Sequence, residues 1–423
     1  MTKILLGCIA DDMTGATDLA NNLVRAGMRV IQTTGVPAEP LDSQADAVVV
    51  ALKSRTIPAE MAVKQSLEAL QWLQQQGAQQ IYFKYCSTFD STPEGNIGPV
   101  LEALMKALDC NFTICTPAFP DNGRTVFKGH LFVGDVLLSE SGMRQHPLTP
   151  MTNANLVQVL QAQCQVQVGL IDYRSVARGC QSIRESISVL RAQGAGAAIV
   201  DAISNDDLLR LGTALKDMPL VTGGSGLAMG LPQNFGINPS PVASELPPAQ
   251  GWRAVVSGSC SVATNRQVVN FIRAGMPALA IDPLQIAAGI DVVSQALAWA
   301  TPLLAHQPVL VYSTADAGSV HAVQTRLGAC EAGALVEDAI AAIVLGLVQL
   351  GARQLIVAGG ETSGACVQSL GIKRMTIGPQ IDSGVPWCHA RSDAAEGASL
   401  HIALKSGNFG SDDFFLKAFE LLR

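Results

Sequence analysis

Residues 355–366, LIVAGGETSGAC, limit the possible folds more than any other stretch of this 423-residue chain. Leu355 to Ala358 form an apolar run without charge, which suits a parallel strand covered on both faces. Gly359 and Gly360 then permit a tight turn, because neither carries a Cβ. Thr362 and Ser363 are good N-cap residues for the small-residue helix expected next. A strand, a glycine turn and a helix start put backbone N–H groups at the positive end of a helix dipole, where phosphate is the usual anion. The stretch is not a Walker A loop, since GxxxxGK(S/T) occurs nowhere in the chain. Glu361 is the unusual residue: a carboxylate beside a phosphate needs a metal or a sugar hydroxyl between them. It is read as a Mg²⁺ or ribose contact, or as a first-turn acid favoured by the dipole. A glycine turn that merely turns the chain is the plainer alternative.

The same pattern of apolar run and polar turn recurs from the first residues on. A strand is expected at 4–10, followed by Asp11 and Asp12 and a helix to about Ala26, with Leu19, Leu23 and Ala26 on one face. Acids at the carboxyl end of a first strand stand where open α/β sheets place their ligands. One of them can cap the helix; the surplus acid is a candidate general base, Asp12 ahead of Asp11. Strands are expected at 29–33, 46–51 and 81–85, with a helix over 59–76. The second runs into Arg55; the third carries Lys84 and runs into Asp90 and Ser91. Arg55 is the first choice for a substrate carboxylate, because its planar fork matches one, with Lys84 and Arg124 behind it. Arg124 falls in a turn-rich, hairpin-like excursion after a strand at 112–115. Further strands are expected at 168–172 and 197–201.

Leu220, Val221 and Thr222 lead into GGSGLAMG, which nearly matches the dinucleotide fingerprint GxGxxG, but the last glycine comes one place late. Residues 232–250 hold five prolines and read as a linker rather than the second strand a Rossmann unit needs, which argues against NAD. After the linker, a strand at 254–256 ends in SGSCS. Strands at 278–281 and 309–312 and a helix over 336–350 feed the GGETSG turn. Three tail strands, 374–377, 386–389 and 401–404, are joined by short turns in antiparallel style, and the last ends in KSGNFG. Two α/β domains follow, 1–231 and 251–423, each with a central, largely parallel sheet, joined by the 232–250 linker, with a ligand cleft between them.

Composition excludes several classes. Charged residues are only 15% and the net charge is −7, with no Lys/Arg run, so a nucleic-acid partner is not expected. No apolar stretch approaches 18 residues and no signal peptide is visible, so neither a membrane span nor export is expected. Ten cysteines without a CxxC pair read as buried free thiols of a cytoplasmic protein.

With ADDMTGA at 10–16, GGSGLA at 223–228, SGSCS at 257–261, GGETSGA at 359–365 and LKSGNFG at 404–410, the chain resembles the four-carbon acid sugar kinase family over nearly its whole length. The resemblance implies an N-terminal sugar-acid-binding domain, a C-terminal nucleotide-binding domain, and phosphorylation of the 4-hydroxyl of a tetronic acid with ATP and Mg²⁺. Ser259, Gly360, Glu361, Thr362, Ser363 and Gly407 would meet ATP. The reading of strand ends and loops, not the resemblance, offers Arg55, Lys84, Asp90, Ser91 and Arg124 as contacts of the acid sugar, and the metal ligands are not specified. The tail is most like the branch acting on 3-oxo-tetronates; the D-threonate and D-erythronate branches share the main motifs. A homodimer is left open. A non-catalytic sugar-acid-binding protein is the alternative of a different class.

Overall fold

The computed structural model describes residues 4–41, 44–145, 149–315, 325–326 and 328–422. The chain divides into two compact units, Met1–Ser244 and Glu245–Arg423, so the unit boundary falls inside the proline-rich stretch 232–250.

In the first unit, eight parallel strands run in the order β2–β3–β1–β4–β11–β5–β10–β9. They are β1 (Leu6–Ala10), β2 (Val30–Thr34), β3 (Ala47–Ala51), β4 (Gln80–Lys84), β5 (Thr113–Thr116), β9 (Gln167–Ile171), β10 (Ala195–Val200) and β11 (Leu220–Gly223). Helices such as Met13–Arg25 and Ala59–Gln75 connect them. Every residue of β1, β3 and β4 is buried, as apolar strands covered on both faces must be. The chain leaves β1 toward β2 on one side and later crosses to β4 on the other. The C-terminal ends of β1 and β4 therefore flank a topological switch point, the usual ligand position in open α/β sheets. The excursion read as hairpin-like is a small antiparallel sheet of β6 (Arg124–Phe127), β7 (His130–Val133) and β8 (Val136–Leu137).

In the second unit the order is β13–β14–β12–β15–β18–β17–β16. These are β12 (Trp252–Ser257), β13 (Ala278–Ala280), β14 (Val309–Tyr312), β15 (Ala352–Ala358), β16 (Arg374–Asp382), β17 (Val385–Ser392) and β18 (Ala398–Lys405). The first five in that order are parallel; β17 runs antiparallel to β18 and to β16. The tail is thus antiparallel, as expected, but its strands are longer. The expected strand at 374–377 stops at Gly378 and Pro379, whereas β16 continues through them by a register shift between Ile377 and Gln380, where an unpaired residue is tolerated. Trp387, Phe414, Phe415 and Phe419 fill the core beneath this sheet, and the buried Trp387 indole donates to the Ala418 carbonyl at 2.8 Å.

The described cysteines are free. Cys260 is exposed and Cys86, Cys110 and Cys180 are half-buried, which corrects the expectation of uniformly buried thiols; the Cys330 side chain lies outside the described residues. Among the described residues no helix is long and apolar enough to cross a membrane.

Candidate active site

In the first unit, acids and cations meet at the ends of β1 and β4. Helix Met13–Arg25 starts directly after β1 with Asp12 as its N-cap, in extended backbone, accepting from the Gly15 N–H at 3.1 Å. The Thr14 hydroxyl donates to the other Asp12 oxygen at 2.9 Å. Arg55 follows β3 and turns its fork back over the strand ends. Its Nε and Nη2 donate to the two Asp11 oxygens at 2.9 Å each, and Nη2 also reaches Asp12 Oδ1 at 2.7 Å. Lys84 ends β4, buried, with Nζ 4.0 Å from Asp12 Oδ1. Gly15 leaves the space for this contact, since a Cβ there would collide with both Asp12 Oδ1 and Lys84 Nζ.

The two acids differ in electrostatics. Burial raises the Asp12 carboxyl, but Arg55, Lys84, Thr14 and the Gly15 amide outweigh it and hold the group below its ordinary value. For Asp11, burial prevails over the attraction of Arg55, and its carboxyl lies above the ordinary range. The capping role that the sequence left open between the acids falls to Asp12. Asp11 instead lines a small cavity with Arg55, Asp90, Ser91 and Asn96. A cleft of about 180 Å³ shares the last four of these residues. That is below the ~300–1,000 Å³ of drug-sized sites and suits a small polar molecule. The Thr88 hydroxyl holds Asp90 at 2.5 Å, and Gln163 Nε2 holds the Ser91 hydroxyl at 2.6 Å. Arg124 is not among the residues lining this cleft, but its guanidinium is near enough to Cys86, Asp18 and Asp90 to interact with their charges. Its Nη1 donates to the Asn122 carbonyl and its Nε has no partner among the described residues.

Sequence reasoning missed two residues here. Asn96 donates from Nδ2 to the carbonyls of Ser54 at 2.7 Å, Arg55 at 3.1 Å and Ile57 at 2.9 Å, fixing the backbone that carries Arg55. Asp18 is buried in a helix read only for its apolar face. Burial pushes its carboxyl up to about 7, and it accepts from the Ser225 hydroxyl of the GGSG turn. Neither role has a local signal, because the partners are distant in sequence.

In the second unit, β12, β15 and β18 are neighbours, so SGSCS, GGETSG and KSGNFG emerge side by side. Gly258 N–H and Ser259 N–H donate to the Ala358 carbonyl at 3.0 and 3.2 Å, and Gly359 N–H donates to the Lys405 carbonyl at 2.9 Å. Helix Gly360–Ser369 has Gly359 as its N-cap, not Thr362 or Ser363, and no side chain caps it. The reason is steric: the turn needs φ of 128° at residue 359, a value only glycine takes without strain. Thr362 and Ser363 lie buried in the first turn, leaving Gly360 and Glu361 exposed at its start. A Cβ on Gly359 would stand 2.6 Å from Thr362 Oγ1, and one on Gly407 would stand 2.6 Å from Ser259 Oγ. The three loops thus pack too closely for side chains and form a cradle of peptide and hydroxyl groups. Its floor is Lys405, fully buried, which the sequence reading takes only as the first residue of the KSGNFG loop and which is instead the last residue of β18. Among the described residues no three His, Cys, Asp or Glu side chains gather as a metal cage.

Two family descriptions match the chain: "Sugar-binding N-terminal domain" over residues 6–231 and "Nucleotide-binding C-terminal domain" over residues 254–415. The chain is 57% identical to a Burkholderia multivorans protein named 3-oxo-tetronate kinase, covering 100% of this chain and 98% of that one. It is 55% identical to a Cupriavidus necator protein of the same name, covering 99% and 97%. A crystal structure from Salmonella typhimurium LT2 is similar at TM-score 0.88 with 44% identity, covering 99% of each chain. One from Haemophilus influenzae is similar at TM-score 0.79 with 44% identity, covering 99% and 100%. With a sugar-binding half, a nucleotide-binding half and this identity over its full length, the chain belongs to the four-carbon acid sugar kinase family.

Proposed function

We propose that the protein transfers the γ-phosphoryl group of ATP to the 4-hydroxyl of 3-oxo-tetronate, giving 3-oxo-tetronate 4-phosphate and ADP in the cytoplasm. The observation that carries this reading is the division of chemistry between the units. One has paired acids and cations beside a small polar cleft; the other has three glycine loops at adjacent strand ends. Phosphoryl transfer asks mainly for positioning and charge neutralisation. Arg55 and Lys84 are the cations for the substrate carboxylate, with Asp90 and Ser91 for its hydroxyls. Of the two acids, Asp11 is favoured as the base that takes the 4-hydroxyl proton, because Asp12 is engaged as a cap and held at low pKa. Gly360, Thr362, Ser363, Ser259 and Gly407 surround the phosphates. Mg²⁺ would be held through substrate phosphates and water together with one or two carboxylates. Glu361 is the carboxylate at that loop, and the ion would neutralise charge developing on the phosphoryl oxygens.

The test is ADP release from ATP and Mg²⁺ with 3-oxo-tetronate, D-threonate and D-erythronate, and ³¹P NMR to locate the phosphate. Fastest turnover of 3-oxo-tetronate with phosphate on C4 is expected. Faster turnover of either other acid would move the specificity to that branch. Binding of an acid without ADP release would leave a sugar-acid-binding protein instead.

A further inference from the structure

Lys405 closes β18 with no exposed surface, a place where lysine is rare. Its Nζ lies 2.9 Å from Thr264 Oγ1 and 3.1, 3.0 and 3.2 Å from the carbonyl oxygens of Ser406, Gly407 and Phe409. Three N–H bonds thus face four oxygens. Burial pulls the ammonium down to about 7. Its compensation comes from loop carbonyls and one hydroxyl, and an ammonium so buried persists only when hydrogen-bonded.

Peptide geometry sets the consequence. In a planar trans peptide, C=O and N–H point in opposite directions. The carbonyls of Ser406, Gly407 and Phe409 point at Nζ. The N–H groups of Gly407, Asn408 and Gly410 are the other halves of those peptides, so they point away from it. Among the described residues none of the three donates to another group of the chain. Helix Val262–Arg273 and its cap brace two of these peptides and the one after Gly410. Ser261 Oγ and Thr264 Oγ1 reach the Gly407 carbonyl at 2.5 and 2.9 Å, and Gln267 Nε2 reaches the carbonyls of Phe409 and Gly410 at 3.0 Å each. The Phe409 N–H, between those of Asn408 and Gly410, turns inward to the Ser406 carbonyl at 3.1 Å. Outward N–H groups on a turn, as the successive pair of Gly407 and Asn408, make an anion-binding concavity.

We propose that Lys405 is a positioning residue for phosphoryl transfer, holding the inner carbonyls of the 406–410 loop so that the N–H groups of Gly407, Asn408 and Gly410 face the phosphates of the nucleotide. This rests on the nucleotide lying at the second unit's loops. It differs from a P-loop lysine, which itself reaches phosphate oxygens; here Nζ faces inward and acts through the backbone.

The test compares ADP binding by calorimetry in the wild type, Lys405→Met and Gly360→Val, with KM for ATP and for the acid sugar. Lys405→Met is expected to weaken ADP at least about tenfold, the scale of lost hydrogen bonds to a charged group, and to leave the acid-sugar KM within about twofold. If folded Lys405→Met keeps its ADP affinity while Gly360→Val loses it, the role of Lys405 is overturned and the nucleotide site stands. If both keep it, the nucleotide site itself is wrong. Hydrogen exchange on the wild type supplies a readout that needs no variant. Saturating ADP should slow the amides of Gly407, Asn408 and Gly410 together with those of residues 360–362. Slowing at 360–362 alone overturns the proposal, because a lysine that merely stabilises the loop, or touches phosphate directly, would not protect those three amides.

Discussion

At the end of β1, two carboxylates, a guanidinium and an ammonium are linked by contacts of 2.7 to 4.0 Å. At the end of β15 the exposed residues are Gly360 and Glu361, and the surrounding groups are peptides and hydroxyls. The first arrangement is a network of charge, in which the two cations act on the carboxyls of Asp11 and Asp12. The second is a surface of fixed dipoles, made by bringing three backbones closer than side chains would allow. The difference teaches how each site can be damaged. Removing a charge should break the first, and adding a Cβ should break the second.

The largest effect is expected at the acids. Asp11→Asn should lower kcat by ~10²–10⁴-fold, the usual contribution of a general base, with little change in melting temperature. Asp12→Asn should hold the helix start, since Asn also caps, and should reduce kcat less. Turnover of both within a few-fold of wild type would place the base elsewhere, with Asp90 and Glu361 next. Measuring kcat and melting temperature together separates the roles.

Glycine substitutions come next and should split by one residue. Gly359→Ala meets both a left-handed backbone and a 2.6 Å approach to Thr362 Oγ1. Strain of ~1–3 kcal/mol and overpacking of a similar size should lower its melting temperature clearly. Gly360→Val lies in the helical turn itself and should fold, while its ATP KM rises. An unchanged ATP KM in folded Gly360→Val would remove the dipole surface from the mechanism.

Arg55→Lys should raise the acid-sugar KM about tenfold to a hundredfold, the equivalent of ~1.5–3 kcal/mol for charged hydrogen bonds, with ATP KM unchanged. The fork also holds Asp11 and Asp12, so a drop in kcat alongside the rise in KM is expected. An unaltered acid-sugar KM takes Arg55 out of the substrate site.

The smallest effect should come from an exposed charge in the second unit. Arg266 and Asp412 pair at 2.8 Å with both side chains more than half exposed. Asp412→Ala should change stability by ~0–1 kcal/mol and leave ADP affinity within about twofold. A larger loss of affinity would mean that surface charge, and not the peptide cradle, holds the nucleotide.

Much was legible in the sequence because it is local. An apolar run such as 355–358 must be covered on both faces, and glycines after it must turn the chain; this gave the alternation of strands and helices, the antiparallel tail and the three glycine loops. Cβ-free positions, capping acids and strand-end cations are likewise written in adjacent residues. Tertiary structure decided what those residues face. Arg55 reaches Asp11 across 44 positions, and Lys405 reaches Thr264 across 141. Which acid caps, which is left lining the small cavity, and whether a strand-end lysine points to solvent or into a loop depend on strand order. That order follows from packing and hydrogen-bond satisfaction over the whole sheet, and no window of neighbouring residues contains it.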